Sequence, residues 1–272
     1  TLFRSRAINR SLAARDGPIV PLIAETGGQN AMIVDSSALP EQVIADTLTS
    51  AFGSAGQRCS ALRVLFVQAE IAPRLISMLV GAMDELRVGD PALLATDVGP
   101  VIDEAARDML LAHGEAMTRH GSLIHRVVLP AGTEHGTFVA PAAFEIDSLA
   151  RLEREVFGPI LHVVRYKSDA LDDVIAAVNG TGYGLTLGIH SRIDEVVEYI
   201  AGRVRVGNAY VNRNMVGAVV GVQPFGGEGL SGTGPKAGGP RYLQRFATER
   251  VISVDTTAAG GNAPLLSLED EG

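Results

Sequence analysis

The sequence predicts an α/β fold, a mostly parallel sheet covered by helices on both faces. Two observations carry this. Short apolar runs alternate with segments of helical periodicity along most of the chain, and the run over 61–67, rich in Val, Leu and Phe, is of the buried type. In chain order, residues 4–14 read as a helix, and residues 19–24, entered through the Gly17-Pro18 turn, as a short strand. A strand over 31–34 follows the Gly27-Gly28 break, then a helix over 41–52 with Pro40 in its first turn and a Val-, Leu- and Phe-rich strand over 61–67. Helices over 71–86 and 104–120 precede strands over 137–140 and 161–166. A helix over 170–179 leaves through Gly180, and a strand over 185–190, a helix over 194–201 and a strand over 208–212 complete the alternation. Sheets of this kind place their sites at the carboxyl ends of the strands.

Two stretches break the rhythm. Residues 217–239 hold nine glycines, too many for a helix or strand interior, and read as a long functional loop or a disordered linker, with Val219, Val220, Val222 and Phe225 favouring the ordered loop. The tail over 256–272 is small and acidic with little periodicity, and is expected to be mobile or engaged with another segment. There is no internal repeat.

With 272 residues, 46% hydrophobic and 20% charged, the chain has the composition of one large or two modest globular domains. A formal charge of −8 and the lack of a basic run argue against nucleic acid as the main partner. A single cysteine cannot form an internal disulfide, no segment reads as a signal peptide, and no apolar run is long enough for a bilayer. A soluble protein in a reducing, cytoplasmic setting is the expectation. The chain opens Thr1-Leu2-Phe3-Arg4, without methionine and on helix-like sequence, as a piece of a longer polypeptide would.

Chemistry concentrates around that one cysteine. Cys59 lies in Gly56-Gln57-Arg58-Cys59-Ser60, between a helix and a strand, where a Gly-rich turn offers backbone N–H groups to developing negative charge and Arg58 offers a cation. The alternative is a small buried hydrophobe. Glu25, at the end of the strand over 19–24 and followed by Thr26-Gly27-Gly28, is placed to act as a general base, the alternative being a solvent-facing carboxylate. Glu155, in a turn entering the strand over 161–166, could accept two hydrogen bonds from a vicinal diol, with Phe157 as an apolar wall; solvent exposure of the one and core packing of the other are the alternatives. The six histidines show no ligand spacing and the cysteine has no CxxC partner, so no metal site is expected. Nucleophile-elbow and Walker motifs are absent.

Taken together, Glu25-Thr26-Gly27-Gly28, Gly56-Gln57-Arg58-Cys59, Glu155-Val156-Phe157-Gly158-Pro159 and Pro224-Phe225-Gly226-Gly227 resemble the aldehyde dehydrogenase superfamily over nearly the whole chain. Ser60-Ala61-Leu62-Arg63, Tyr210-Val211-Asn212-Arg213-Asn214 and Ser231-Gly232-Thr233-Gly234-Pro235-Lys236 are similar to the glutamate semialdehyde (pyrroline-5-carboxylate) dehydrogenase modules of bifunctional proline-catabolic flavoenzymes. The resemblance implies the three-layer, parallel-sheet catalytic domain of the aldehyde dehydrogenase fold with only a remnant of a Rossmann-type cofactor domain. Residues 1–26 would be the last helix and strand of that domain, 27–247 the catalytic domain, and 248–272 a C-terminal strand and tail serving as a candidate oligomerisation segment.

The implied reaction is NAD-dependent oxidation of L-glutamate γ-semialdehyde to glutamate through a Cys59 thiohemiacetal and thioester, with Glu25 activating the hydrolytic water. By the same resemblance Glu155 would hold the nicotinamide-side ribose and Phe157 would pack near the cofactor. Ser60, Gly217 and Ala218 would grip the substrate α-carboxylate, with Phe225 against its methylenes. Most of the NAD site would lie outside this chain, and the fragment alone would not turn over. FAD would belong only to a proline dehydrogenase domain of the parent, DNA binding only to a separate domain, and the parent would be a homo-oligomer. The competing readings are a CoA-acylating or different-aldehyde member of the superfamily and a non-catalytic assembly fragment.

Overall fold

The computed structural model describes residues 2–219 and 221–255; the expected tail over 256–272 lies outside them. In chain order the elements are α1 (Leu2–Ala14), β1 (Ala31–Val34), α2 (Pro40–Phe52), β2 (Val64–Gln68), α3 (Ala72–Asp84), α4 (Glu104–His120), β3 (Ser122–Arg126), β4 (Ala142–Glu145) and β5 (Ile160–Tyr166). They continue with α5 (Leu171–Gly180), β6 (Tyr183–Gly184), β7 (Thr186–His190), α6 (Asp194–Ala201), β8 (Asn208–Val211) and β9 (Glu228–Gly229).

Seven strands form one sheet in the order β3-β4-β5-β2-β1-β7-β8. Every pairing is parallel except β3 with β4 at the edge, where a bulge falls between Leu123 and His125. Ala31 faces Val64 on one side and Leu187 on the other, and Val64 faces His162, so the central strands enter the sheet at the same level. All four residues of β1, all five of β7 and the first four of β2 are buried. Burial of successive residues, which point to opposite faces, requires cover on both sides of the sheet, as predicted for a parallel arrangement. The helices carry apolar stripes for it: Val43, Ile44 and Ala51 on α2, Leu75, Leu79 and Met83 at four-residue spacing on α3, which packs against α2, and Val174, Ile175 and Val178 on α5. Among the described residues no helix is long and apolar enough to cross a membrane.

Four predicted strands are absent or displaced by three residues or more. Residues 19–24 form no strand: Ile19 is fully exposed, and the segment is held by the bridge between Glu25 and Gly232 and by Thr233, whose N–H donates to Ala24 O at 3.0 Å and whose hydroxyl accepts from Ala24 N–H and donates to Leu22 O. Apolar sequence alone does not make a strand; a ladder partner is needed. Residues 137–140 run extended but bond instead to the loop at Val101, and the ladder starts only after Pro141, as β4. The start of β2 moves from 61 to 64 because Ala61, Leu62 and Arg63 donate their N–H groups to Arg58 O, Ser50 O and Asn30 O, anchoring the preceding turn. The C-terminal strand expected from 248 is missing over 248–255, where Val251, Ile252 and Val254 stand exposed.

Candidate active site

The structure brings Glu25, Cys59, Ser60, Glu155 and Phe157 to the amino ends of the central strands, not the carboxyl ends, whereas Gly217, Ala218 and Phe225 lie in the loop that follows β8. Glu25 and Asn30 precede β1, Cys59 and Arg63 precede β2, Glu155 and Phe157 precede β5, and Gly207 precedes β8. Glycine-rich loops entering the strands therefore form the site, and the usual rule for open α/β sheets is overturned here.

Between α2 and Cys59 the chain reverses through three consecutive left-handed residues, Ser54 (φ 56°), Ala55 (φ 52°) and Gly56 (φ 64°). Two of them carry side chains, so the turn stores strain beside the candidate nucleophile. At Gly56 a Cβ would stand 2.2 Å from Gly158 O, so only glycine allows the two loops to touch.

A buried cation closes the turn from behind. Arg63 is 1% exposed and donates through Nη1 to Gly56 O at 2.6 Å and Gly158 O at 3.3 Å, and through Nη2 to Arg58 O at 3.0 Å. Its Nη2 lies 3.7 Å from Glu155 Oε1, and its guanidinium stands 5.1 Å from the centre of the Phe157 ring. Burial draws its pKa down to about 10, against the pull of Glu155, so it remains a cation at neutral pH. Asn30 completes the clamp: Nδ2 donates to Cys59 O at 2.7 Å and Ala61 O at 2.9 Å, while Oδ1 accepts from Thr186 N at 3.2 Å. Behind Arg63, His162 is fully buried with its pKa pushed down to about 3 by burial, and is neutral. Its Nδ1 lies 3.0 Å from Arg63 O, which can only accept, so Nδ1 carries the proton and Nε2 accepts from His113 at 2.9 Å.

Cys59 itself is exposed. The surrounding walls push its thiol pKa up, backbone N–H groups of Ser60 and Cys59 pull it down, and the charges of Glu155 and Glu25 push it up again. Both carboxylates therefore lie within electrostatic reach of the sulfur. Arg58 does not supply the expected cation, because its Nε is turned onto Ser54 Oγ at 2.9 Å. The pKa of Glu25 is raised by burial, which outweighs the nearby Gly227 N–H and the charge of Lys236. Tyr210, on β8, is also close enough for the charge of Cys59 to raise its pKa, after the larger effect of burial.

The remaining expected residues are placed less completely. Glu155 accepts from Gly28 N–H at 3.2 Å as well as pairing with Arg63, so its carboxylate faces inward at the edge of the Cys59 turn. Ser60 is 5% exposed; its carbonyl accepts from Thr186 Oγ1 at 3.3 Å, and its hydroxyl makes no hydrogen bond among the described residues. Gly217 and Ala218 are exposed, and their N–H groups are not taken up by hydrogen bonds among the described residues. Phe225 is half-buried and bridged to Ala237. No hydrogen bond or bridge among the described residues joins Ser60, Gly217, Ala218 and Phe225. Among the described residues no group of three or more His, Cys, Asp or Glu side chains converges as a metal site would.

Sequence reasoning gave no role to Asn30, Arg63 or Lys236. A signal existed for two of them. Arg63 is a charge inside an otherwise apolar strand run, and Lys236 is one of two lysines in a sequence that elsewhere uses arginine.

An exposed thiol on a strained, clamped turn thus stands within electrostatic reach of Glu25, an exposed carboxylate whose pKa is raised. The chain belongs to the aldehyde dehydrogenase family, whose sequence profile matches residues 4–252. Among curated relatives it is 57% identical over 251 residues to the bifunctional protein PutA of Klebsiella aerogenes, covering 89% of this chain and 19% of that protein. A crystal structure of a point mutant of Bradyrhizobium japonicum proline utilization A superposes with a TM-score of 0.91 at 61% identity, over 96% of this chain and 26% of the other. A 1-pyrroline-5-carboxylate dehydrogenase from Thermus with bound NAD superposes with a TM-score of 0.84 at 34% identity, over 90% of this chain and 48% of the other. The chain thus spans about a fifth of the length of the PutA relative.

Proposed function

We propose that this chain is the thiol-bearing catalytic part of a longer enzyme that oxidises L-glutamate γ-semialdehyde to glutamate in proline catabolism. The observation that carries the reading is the exposed Cys59 thiol on its left-handed turn, within reach of the Glu25 charge. The likeness to PutA and to 1-pyrroline-5-carboxylate dehydrogenase supports the choice of substrate.

In this reading Cys59 attacks the aldehyde carbon as a thiolate, with the N–H groups of Ser60 and Cys59 beside the sulfur to hold its charge. A C–S bond forms and the aldehyde oxygen becomes the oxyanion of a thiohemiacetal. A bound nicotinamide dinucleotide supplies the acceptor for the hydride that the collapsing oxyanion expels. The residues present suit its ribose–nicotinamide end: the Glu155 carboxylate can accept from a diol, and Phe157 offers an aromatic flank. Glu155 would have to share its contacts to Arg63 and Gly28 to do so. The thioester left on Cys59 is then hydrolysed by water that gives its proton to Glu25. The free Ser60 hydroxyl and the Gly217 and Ala218 N–H groups are donors suited to an α-carboxylate, and Phe225 to the methylenes.

The test is NADH formation in the full-length protein that carries this chain. Cys59→Ser should abolish it, by about a thousandfold or more, while leaving the folded structure intact. Butanal, which lacks the carboxylate, should lose on the order of tenfold to a hundredfold per lost contact relative to the semialdehyde. Similar efficiency with both would remove the carboxylate pocket and leave only the family assignment.

A further inference from the structure

Lys236 lies in the glycine-rich loop with its ammonium half-buried. It donates to three oxygens: Gly207 O, Asn208 Oδ1 at 2.8 Å and Gly226 O at 2.9 Å. Asn208 reinforces the tie, donating through Nδ2 to Pro224 O at 3.0 Å and accepting from Gly226 N at 3.4 Å. One ammonium therefore fastens the 224–226 loop to the entry of β8. The next residue of that loop, Gly227, lies near enough to the Glu25 carboxylate for its backbone N–H to lower the pKa. Packing there is close: a Cβ on Gly226 would stand 2.7 Å from Glu25 Oε1 and 3.2 Å from Lys236 Cα. On its other side Glu25 is bridged to Gly232. The ammonium is beyond ion-pair distance of Glu25, and its hydrogen bonds all go to neutral oxygens.

We propose that Lys236 is a positioning residue for the general base: it fixes Gly226 and Gly227, through them the Glu25 carboxylate, and its charge favours the ionised carboxylate that accepts the proton of water. The inference rests on the reading of Glu25 as the base of deacylation. In that step the water oxygen bonds to the thioester carbon, its proton passes to Glu25, the C–S bond breaks and Cys59 leaves as thiolate. Lys236 touches none of the reacting atoms. The ionisable groups facing Glu25 are Lys236 and Cys59, and those facing Lys236 are Glu25 and Glu228. Burial raises the pKa of Glu25 and the lysine charge offsets part of that rise, so loss of the charge should raise it further. A base with a higher pKa is ionised only at higher pH, and deacylation should follow it upward.

Nitrophenyl acetate tests this without a nicotinamide cofactor, since the ester acylates the thiol with release of nitrophenol and the steady phase then reports deacylation. In the full-length protein, Lys236→Met and Lys236→Gln are compared in the native and the Glu25→Gln backgrounds. The expected result is an unchanged burst, a steady rate lower by about tenfold at pH 7, and a deacylation midpoint raised by about half a pH unit or more. In the Glu25→Gln background neither change at Lys236 should slow the steady phase further. Lys236→Gln keeps donors for two of the three oxygens but not the charge, and it decides the matter if Lys236→Met loses the burst through misfolding. An unshifted midpoint in Lys236→Gln, or equal slowing in both backgrounds, would overturn the proposal while leaving Glu25 as the base. A steady phase untouched by Glu25→Gln alone would remove the base and this inference with it.

Discussion

The two ends of the central sheet are built on opposite principles. At the carboxyl end one group of polar side chains closes on itself. Asp35, just after β1, accepts from Ser37 N–H at 2.7 Å, Ser37 Oγ at 2.6 Å and Ser191 Oγ at 2.5 Å. Ser191 N–H donates to Asn212 Oδ1 at 3.1 Å, Asn212 Nδ2 donates back to Ser191 O at 2.8 Å, and Tyr166 OH donates to Val34 O. At the amino end the same sheet carries strained backbone, an exposed thiol, an unbonded Ser60 hydroxyl and a carboxylate whose pKa is raised by burial. A polar network that satisfies itself stabilises; one left open, and held open by a buried cation, is available for chemistry.

Removing Arg63 is the largest perturbation this contrast offers. Arg63→Met would leave the carbonyls of Gly56, Arg58 and Gly158 and the Glu155 carboxylate without their buried partner, at a cost of about 3–5 kcal/mol. Denaturant unfolding of the full-length protein should show it, and the reaction of Cys59 with iodoacetamide should change as well, because the turn loses its anchor. A loss below about 1 kcal/mol with unaltered labelling would mean that the turn holds itself.

Asp35→Ala probes the closed end and should cost less, about 1.5–3 kcal/mol for the charge-assisted hydrogen bonds. Since the network lies at the other end of β1, Cys59 labelling should stay within about twofold of the parent. A tenfold change in labelling would join the two ends into one unit and break the contrast.

The asymmetry explains what was legible in the sequence. Elements whose partners are also in the described chain came through from apolar patterning: β1 at Ala31–Val34, α4 at Glu104–His120 and α6 at Asp194–Ala201 coincide with their predicted bounds. Residues 19–24 carry the same kind of pattern and form no strand, because periodicity records burial of side chains and says nothing of who completes the ladder. β3 escaped because it is an antiparallel edge strand with exposed residues, including Ser122 and Leu123, and so lacks the buried run that marks the others. Cys59 and Glu25 could be singled out, since residue type and glycine company carry chemistry directly. That they meet at the amino ends could not be read, because the rule for carboxyl ends describes loops that leave strands and here the loops that enter them converge. Arg63 and Lys236 act through carbonyl oxygens, which every residue has, so no sequence motif records what they hold.

The smallest expected effect is the most direct check that the open end is one electrostatic unit. Alkylation proceeds through the thiolate, and the thiol of Cys59 is held above its ordinary range, mainly by burial, with Glu155 and Glu25 adding to the rise. The alkylation rate should therefore climb with pH and reach half its maximum above the value of about 8.5 for a free cysteine. Glu25→Gln deletes one of the two negative charges that oppose ionisation, so the midpoint should move down and labelling near pH 7 should quicken about twofold to fivefold. A loosened fold would also lower the midpoint by exposing the thiol, so Glu25→Asp, which keeps the charge, is the control and should leave the midpoint in place. A Glu25→Gln midpoint that stays put, or moves up, would place the Glu25 carboxylate out of reach of the sulfur and leave Cys59 without its facing base.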